Sequence, residues 1–447
     1  MSAGLWPRAL ICVVVGYLCM GRSFAYLGFP AWRIFIGETL LAIFLFFGPW
    51  TRFGRWPWVA RRLSTLKMIV VPLTVLLLYG AFEVLHGIRN GNPFFTALRD
   101  AAFDYYPIYL FLGIFVGLND PGLLRRLVRT LAWCNGIYGV LYVLFLNRLD
   151  WTLSGVAERI SPVPVFGLPE FSFVVLLALF ALEPDLRAVW PLLALNGFVL
   201  LGMQIRAEWF AFAVGLLIWG WMTKRLMRMV AGGAVIIVLL VLMALVNLKI
   251  PGPATRGGGE ISARDLIGRA VAPVDPSLAE NYTSYYKMDV DTTLWRTVWW
   301  AAIWEAVQST HVTALFGFGY GYPIGDLVPY LQGDFIETPH DVFFYALAYT
   351  GWIGVLLFAL FQAGMGRLLW KSDQRTSRPV GLVLWTAMLA YSAFTPFFEA
   401  PYGAIPFYLL CGLLIAPVLR RRRPGPAPVL KPSPALLDPQ GGALAPT

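Results

Sequence analysis

The sequence predicts an all-α integral membrane protein of about twelve transmembrane helices, with one large extracytoplasmic loop carrying short helices. Three observations predict it. Of 447 residues, 58% are hydrophobic and only 13% charged, and the mean hydropathy is +0.66, far from globular usage. Several apolar runs approach the ~20 residues that an α-helix needs to cross ~30 Å of hydrocarbon. Those runs show little period-2 alternation, and backbone amides in lipid must be satisfied within the segment, so helices are expected rather than a barrel.

Residues 5–20 form the first apolar run. Arg8 precedes its apolar stretch and no A-x-A-like cleavage site follows, so a retained helix is expected rather than a removed signal peptide. Runs at 31–50, 68–85, 100–117 and 127–147 come next, then 166–182, 188–204, 207–222 and 229–248. After a long polar interval, 341–363, 380–394 and 402–419 complete the set. Residues 1–423 thus read as one polytopic membrane domain with no internal repeat of ~20–50 residues. Residues 424–447 are rich in Pro, Ala and Gly without apolar period, and are expected to form a disordered cytoplasmic tail.

A net charge of +10 is compatible with nucleic-acid binding in principle, but its distribution argues against that partner. Lys and Arg cluster in short segments between apolar runs, the positive-inside pattern that sets orientation. With both termini cytoplasmic, 22 of the 35 basic residues fall inside, including Arg61, Arg125, Arg126, Arg129, Arg225 and Arg420 to Arg423. The reverse orientation would expose nearly every short basic loop. Cys12, Cys19, Cys134 and Cys411 all lie in apolar segments, so no disulfide framework supports the long loop.

That loop, 249–340, stands out in a chain of short connections. Residues 251–259 are Gly- and Pro-rich and read as flexible. Residues 291–309 read as a helix starting on an Asp291/Thr cap, whose Trp295, Trp299, Trp300 and Trp304 suit a membrane interface. In the run from Leu315 to Tyr322, Gly317, Gly319 and Gly321 permit tight turns or close backbone approach to a ligand.

Three histidines are present: His86, His311 and His340. His86 follows the third apolar run and His311 lies in a polar turn; both read as interfacial or surface residues. His340 joins the long loop to a membrane helix, with Pro339 suited to a first helical turn before it and Asp341 after it. A neutral imidazole there could serve as general base for an alcohol acceptor; the bland reading is a polar helix-start residue facing headgroups. Arg206, Arg296, Arg99 and Arg22 lie at the outer ends of apolar segments or on the Trp-rich helix. Guanidinium groups hold phosphate oxygens bidentately and stay charged, so a converging set suits a diphosphate, whereas a lone interfacial Arg commonly snorkels to headgroups. Asp289-Val-Asp291 is formally a DxD triplet, but a helix cap explains Asp291 equally, and no metal site or cofactor is expected. Asn281-Tyr-Thr283 matches a glycosylation sequon without other support. No P-loop, CxxC pair or G-x-S-x-G elbow occurs. A transporter would need buried ionisable residues in mid-helix and related repeats; Glu38, Glu83 and Asp104 all sit near predicted ends.

The run Gly317-Phe-Gly-Tyr-Gly321, followed some twenty residues later by His340-Asp341 and then Gly351-Trp-Ile-Gly354, resembles the signature of the O-antigen ligase and O-antigen polymerase superfamily. Gly21 to Gly28 and Ile36-Gly-Glu38 are similar to the N-terminal part of some members. Arg206 falls where members carry a Ser-Arg step, and Arg296 matches an Arg upstream of the glycine turn. The resemblance is strongest over 195–365. In two places the chain departs from the pattern: Asp341 stands where Asn or Ser is common, and Ile205 where Ser is.

The resemblance implies a GT-C-like fold with a periplasmic active site in the bacterial inner membrane. It also implies metal-independent, inverting transfer of a glycan from an undecaprenyl diphosphate carrier to an acceptor sugar hydroxyl. His340 would be the base, Arg206 and Arg296 would bind the diphosphate, and Arg99, Arg22 and Asp341 would be secondary. The acceptor glycan would be lipid A-core for a ligase or the growing chain for a polymerase. A protein O-glycosyltransferase is a close variant, and a polysaccharide or lipid-linked-sugar transporter is the alternative of a different class.

Overall fold

A computed structural model describes residues 5–29, 34–47, 56–153, 163–183, 185–227, 229, 241–253, 260–272, 275, 277–278, 286–328, 338–372 and 377–420. Helix α1 (Leu5–Ala25) leads through a short antiparallel ribbon, β1 (Gly28–Phe29) and β2 (Ile34–Phe35), into α2 (Ile36–Phe47) and α3 (Trp56–Arg89). Helices α4 (Phe94–Asp100), α5 (Ala102–Tyr105) and α6 (Tyr109–Asn119) make one interrupted apolar segment. They are followed by α7 (Leu123–Leu144), α8 (Ser172–Leu182), α9 (Trp190–Gly202) and α10 (Arg206–Thr223). The long connection holds an antiparallel hairpin, β3 (Lys249–Pro251) with β4 (Glu260–Ser262), then α11 (Ala263–Val271), α12 (Tyr286–Gln308) and α13 (His311–Phe316). Helices α14 (Val342–Trp370), α15 (Ser377–Ser392) and α16 (Pro401–Arg420) complete the bundle.

Among the described residues, six segments are long and apolar enough to cross a membrane: 5–25, 65–89, 94–119, 123–144, 342–370 and 401–419. Other predicted crossings form shorter apolar helices at 36–46, 172–182 and 186–202. Most of 229–248, the glycines at 257–259, the sequon at 281–283 and the tail 424–447 lie outside the described residues. Exposed Val71, Leu78, Phe82 and Leu85 place an apolar stripe on the outside of α3, the surface that lipid would cover.

Helix α16 sits deepest and packs on α6 and α1. The α6–α16 approach is set by Gly113 and Gly412: a side chain on either would strike the other helix's backbone, the small-residue contact typical of membrane helices. A polar clamp joins α7, α8 and α9. Asn135 donates to Ser172 Oγ at 3.0 Å and to Asn196 Oδ1 at 2.9 Å, and Asn196 donates to the Ala132 carbonyl at 2.9 Å.

Helix α14 is broken at Gly351 (φ 60°, ψ −165°), a backbone region essentially reserved for glycine. A break frees carbonyls that need donors in an apolar setting. Phe318 N–H donates to Ala348 O at 2.8 Å, Gly319 N–H to Tyr349 O at 3.1 Å, and Tyr79 Oη to Thr350 O at 2.7 Å. The glycine turn therefore threads between α3 and α14, with Gly317, Gly319 and Gly321 all at positive φ (71°, 76° and 86°). A Cβ on Gly317, Gly319 or Gly321 would meet α14, Gly87 or Ala97 respectively. The close approach these glycines allow is to the protein's own helices.

Several expected starts and ends shift. Helix α12 begins at Tyr286, so Asp291 lies inside it and is not its cap. Pro339 and His340 precede α14 rather than opening its first turn; the cap is Asp341. Helix α1 runs to Ala25 and α3 to Arg89, which puts Arg22 and His86 in last helical turns, and Arg99 ends α4 instead of starting a helix. His311 opens α13 behind a Thr310 capping box. At Arg22, His86 and His311 the helix continues its backbone ladder through polar residues whose character predicts a loop.

Candidate active site

The sequence 338–341 is shaped by capping. The Asp341 carboxylate accepts the Phe344 N–H at 2.8 Å, satisfying an orphan donor of α14. The turn into that cap puts His340 in the left-handed region, φ 54°, uncommon for a residue with a side chain. The His340 ring then folds back, with Nδ1 2.8 Å from the Thr338 carbonyl. A carbonyl only accepts, so Nδ1 carries the proton, and whenever the ring is neutral the lone pair is on Nε2. That is the tautomer a general base requires.

Helix α12 holds this segment through its tryptophans. Trp300 donates to the Pro339 carbonyl at 2.8 Å and stacks on Phe344, ring centres 5.4 Å apart and 9° from parallel. Trp295 meets the His340 ring edge to face at 5.5 Å. Arg296 lies over the same indole, 5.4 Å from its centre, a cation–π contact. Buried Trp299 anchors the helix by donating to the Ile324 carbonyl at 2.9 Å. Two residues expected to share a site, His340 and Arg296, thus meet on one tryptophan.

Arg206 opens α10, as expected, behind Ile205, whose side chain supplies no cap. Its neighbour Gln204 donates to the Glu260 carbonyl of β4 at 3.1 Å and accepts at its own carbonyl from Arg269 of α11 at 3.4 Å. Helix α11 in turn contacts α12, so the turn that leads into α10 is joined to the Trp-rich helix through one intervening element. Arg99 bonds Asp100 at 3.1 Å, and the Asp100 carbonyl accepts from Tyr345 Oη at 2.8 Å, tying α4 to the first turn of α14. Arg22 lies 5.7 Å from the centre of the Tyr26 ring. Arg99 and Arg22 share the His340 end of the bundle, each with its own partner.

Two carboxyls gain interest from the structure. Burial pushes Asp341 up to about 6. Glu399, in the turn before α16, is pushed up to about 7, first by burial and further by the negative Asp341. Its Oε2 accepts from Phe397 N–H at 3.1 Å, while Oε1 is buried without a hydrogen-bond partner among the described residues. The only sequence signal for Glu399 is an acidic residue just ahead of a Pro-initiated apolar run. Glu83 and Asp104, expected near helix ends, are buried instead. Asp104 accepts from Tyr320 Oη at 2.7 Å and Glu83 pairs with His86 at 2.9 Å, so both brace the glycine turn and α3. The side chains of Asp289 and Asp291 lie outside the described residues.

Residues 191–359 match the family described as O-antigen ligase. The matched segment runs from α9 into α14 and contains Arg206, Arg296, the glycine turn, His340 and the Gly351 break. It supports the superfamily resemblance drawn from those residues. No curated protein matches the chain.

Proposed function

With an O-antigen ligase domain across residues 191–359 as the premise, we propose that this protein is a membrane glycosyltransferase acting on a polyprenyl diphosphate-linked glycan. The carrier is undecaprenyl diphosphate and the acceptor a sugar hydroxyl. The observation that carries this reading is the shared tryptophan: His340, with Nδ1–H turned to Thr338, and Arg296 lie against Trp295. A base and a phosphate-binding cation held on one rigid ring suit a displacement at the sugar carbon between them.

His340 Nε2 takes the proton of the acceptor hydroxyl as its oxygen attacks the anomeric carbon. The bond from that carbon to the diphosphate oxygen breaks, and undecaprenyl diphosphate leaves with the electron pair. In-line attack inverts the anomeric centre. Diphosphate is a competent leaving group, so the developing negative charge needs neutralisation more than protonation; Arg296 and Arg206 supply it. No metal enters the step. Arg99 and Arg22 serve as outer contacts for the glycan or carrier phosphates. The chain crosses the inner membrane about twelve times, with both termini cytoplasmic and this site on the periplasmic side.

The test is glycan transfer in a deletion strain complemented with variants of normal membrane abundance. His340→Ala should lower transfer roughly a hundred- to ten-thousand-fold, the usual weight of a general base; unchanged transfer overturns the assignment. Arg296→Lys keeps charge but loses the fork and should cost roughly tenfold or more. Transfer that is lost to EDTA and restored by Mg²⁺ would overturn the metal-free step. Carrier-linked polymer accumulating in the deletion strain marks a ligase; single repeat units mark a polymerase.

A further inference from the structure

At the end of the bundle away from His340, a cavity of about 430 Å³ opens between the closing turns of α6, α8 and α16 and the first turns of α7. Its wall is apolar, built from Leu124, Leu182, Leu413 and Pro417, and its rim carries Arg125, Arg126 and Arg129. Two of these guanidiniums are held in place. Arg126 bonds Asp120, and Arg129 forks onto Glu183 at 3.0 and 3.3 Å. Arg125 is exposed and has no ion pair among the described residues, so three cations face two carboxylates and the rim stays positive.

The positive-inside rule asks only that basic residues remain in a loop. It does not ask for a walled cavity beneath them, nor for guanidiniums fixed by acidic partners. A small soluble anion would use the rim and leave the leucine and proline wall idle. A lipid uses both, since its phosphate needs the cations while its glycerol and first acyl carbons need an apolar surface at the end of the membrane span. We propose that this cavity seats the headgroup phosphate of an anionic phospholipid, with Arg125 as its principal unshared cation and Leu182, Leu413 and Pro417 against the acyl chains. The site is independent of glycan transfer.

The full chain, purified in detergent, is titrated with phosphatidylglycerol, phosphatidylcholine or inorganic phosphate, following bound lipid by native mass spectrometry and the thermal unfolding midpoint. Phosphatidylglycerol should be retained and raise the midpoint more than phosphatidylcholine. Arg125→Gln should weaken that binding about fivefold, the weight of one basic residue near a charged lipid surface, and leave the midpoint of the lipid-free protein unchanged. Arg125→Glu should weaken it further. Equal binding of the two lipids, indifference to Arg125→Gln, or an equal midpoint rise with inorganic phosphate alone would each overturn the proposal.

Discussion

His340 and Asp341 divide the work of one turn. Asn, Ser and Asp are all strong N-caps, so the departure of Asp341 from the residues common in the resembling family keeps the same backbone function. What Asp adds is a charge in a buried place. Its carboxyl is pushed up to about 6, so the folded protein holds that proton more tightly than the unfolded chain does. The unfolded carboxyl ionises near ~4, and stability should therefore fall as pH rises from about 4 to about 6. Asp341→Asn should reduce the slope of thermal unfolding across that window while keeping the cap, Glu399 retaining its own share; Asp341→Ala should lie about 1 kcal/mol below Asp341→Asn at any pH. A variant Asn protein with the unchanged slope would assign the titration to another group. The candidate base and its neighbouring cation were legible in the sequence as His340 and Arg296. The ring that joins them was not: nothing in the spacing of Trp295, Trp299 and Trp300 says which faces the imidazole, because that depends on how α12 lies on α14.

The Gly-rich run and the Gly351-to-Gly354 step, read from sequence as separate features, are one device. The break at Gly351 opens α14, and the turn at 317–321 fills the opening with its own N–H groups. Periodicity marks each part, but only the fold shows that a loop and a helix exchange hydrogen bonds. Gly351→Ala forces a side chain into a region that costs about 1–3 kcal/mol in strain alone, and its Cβ would strike the Leu315 carbonyl. Gly91, also at positive φ (91°) but with open space where a Cβ would stand, offers the control: Gly91→Ala should cost about 1–2 kcal/mol and preserve transfer. Equal unfolding midpoints for the two variants would mean the threaded turn is not what Gly351 serves. Tyr320→Phe tests the same assembly from inside the bundle. It removes the donor to Asp104, leaving a buried oxygen unsatisfied at about 1–3 kcal/mol, and should lower the midpoint without altering the pH profile of transfer.

Across the whole molecule, hydropathy and charge located most helices because lipid imposes a simple rule on composition, and they failed where that rule stops. Helix α12 starts earlier than its cap signal, and the segment 94–119 is divided where Pro107 and the turns around it interrupt the ladder. Orientation rests on the distribution of charge alone. His340, Arg99 and Glu399 share one end of the bundle, while Arg125, Arg126, Arg129 and the close of α16 share the other. If the positive-inside rule governs this chain, the first end is periplasmic. All four cysteines lie within α1, α7 and α16 and are replaced by Ala to give a silent background. Into it go Ser309→Cys, exposed between α12 and α13, or Asn119→Cys, exposed at the close of α6. A membrane-impermeant maleimide should label the Ser309→Cys protein in intact spheroplasts and the Asn119→Cys protein only after permeabilisation. The reverse pattern would put His340 on the cytoplasmic side and, with it, away from any acceptor displayed outside the membrane.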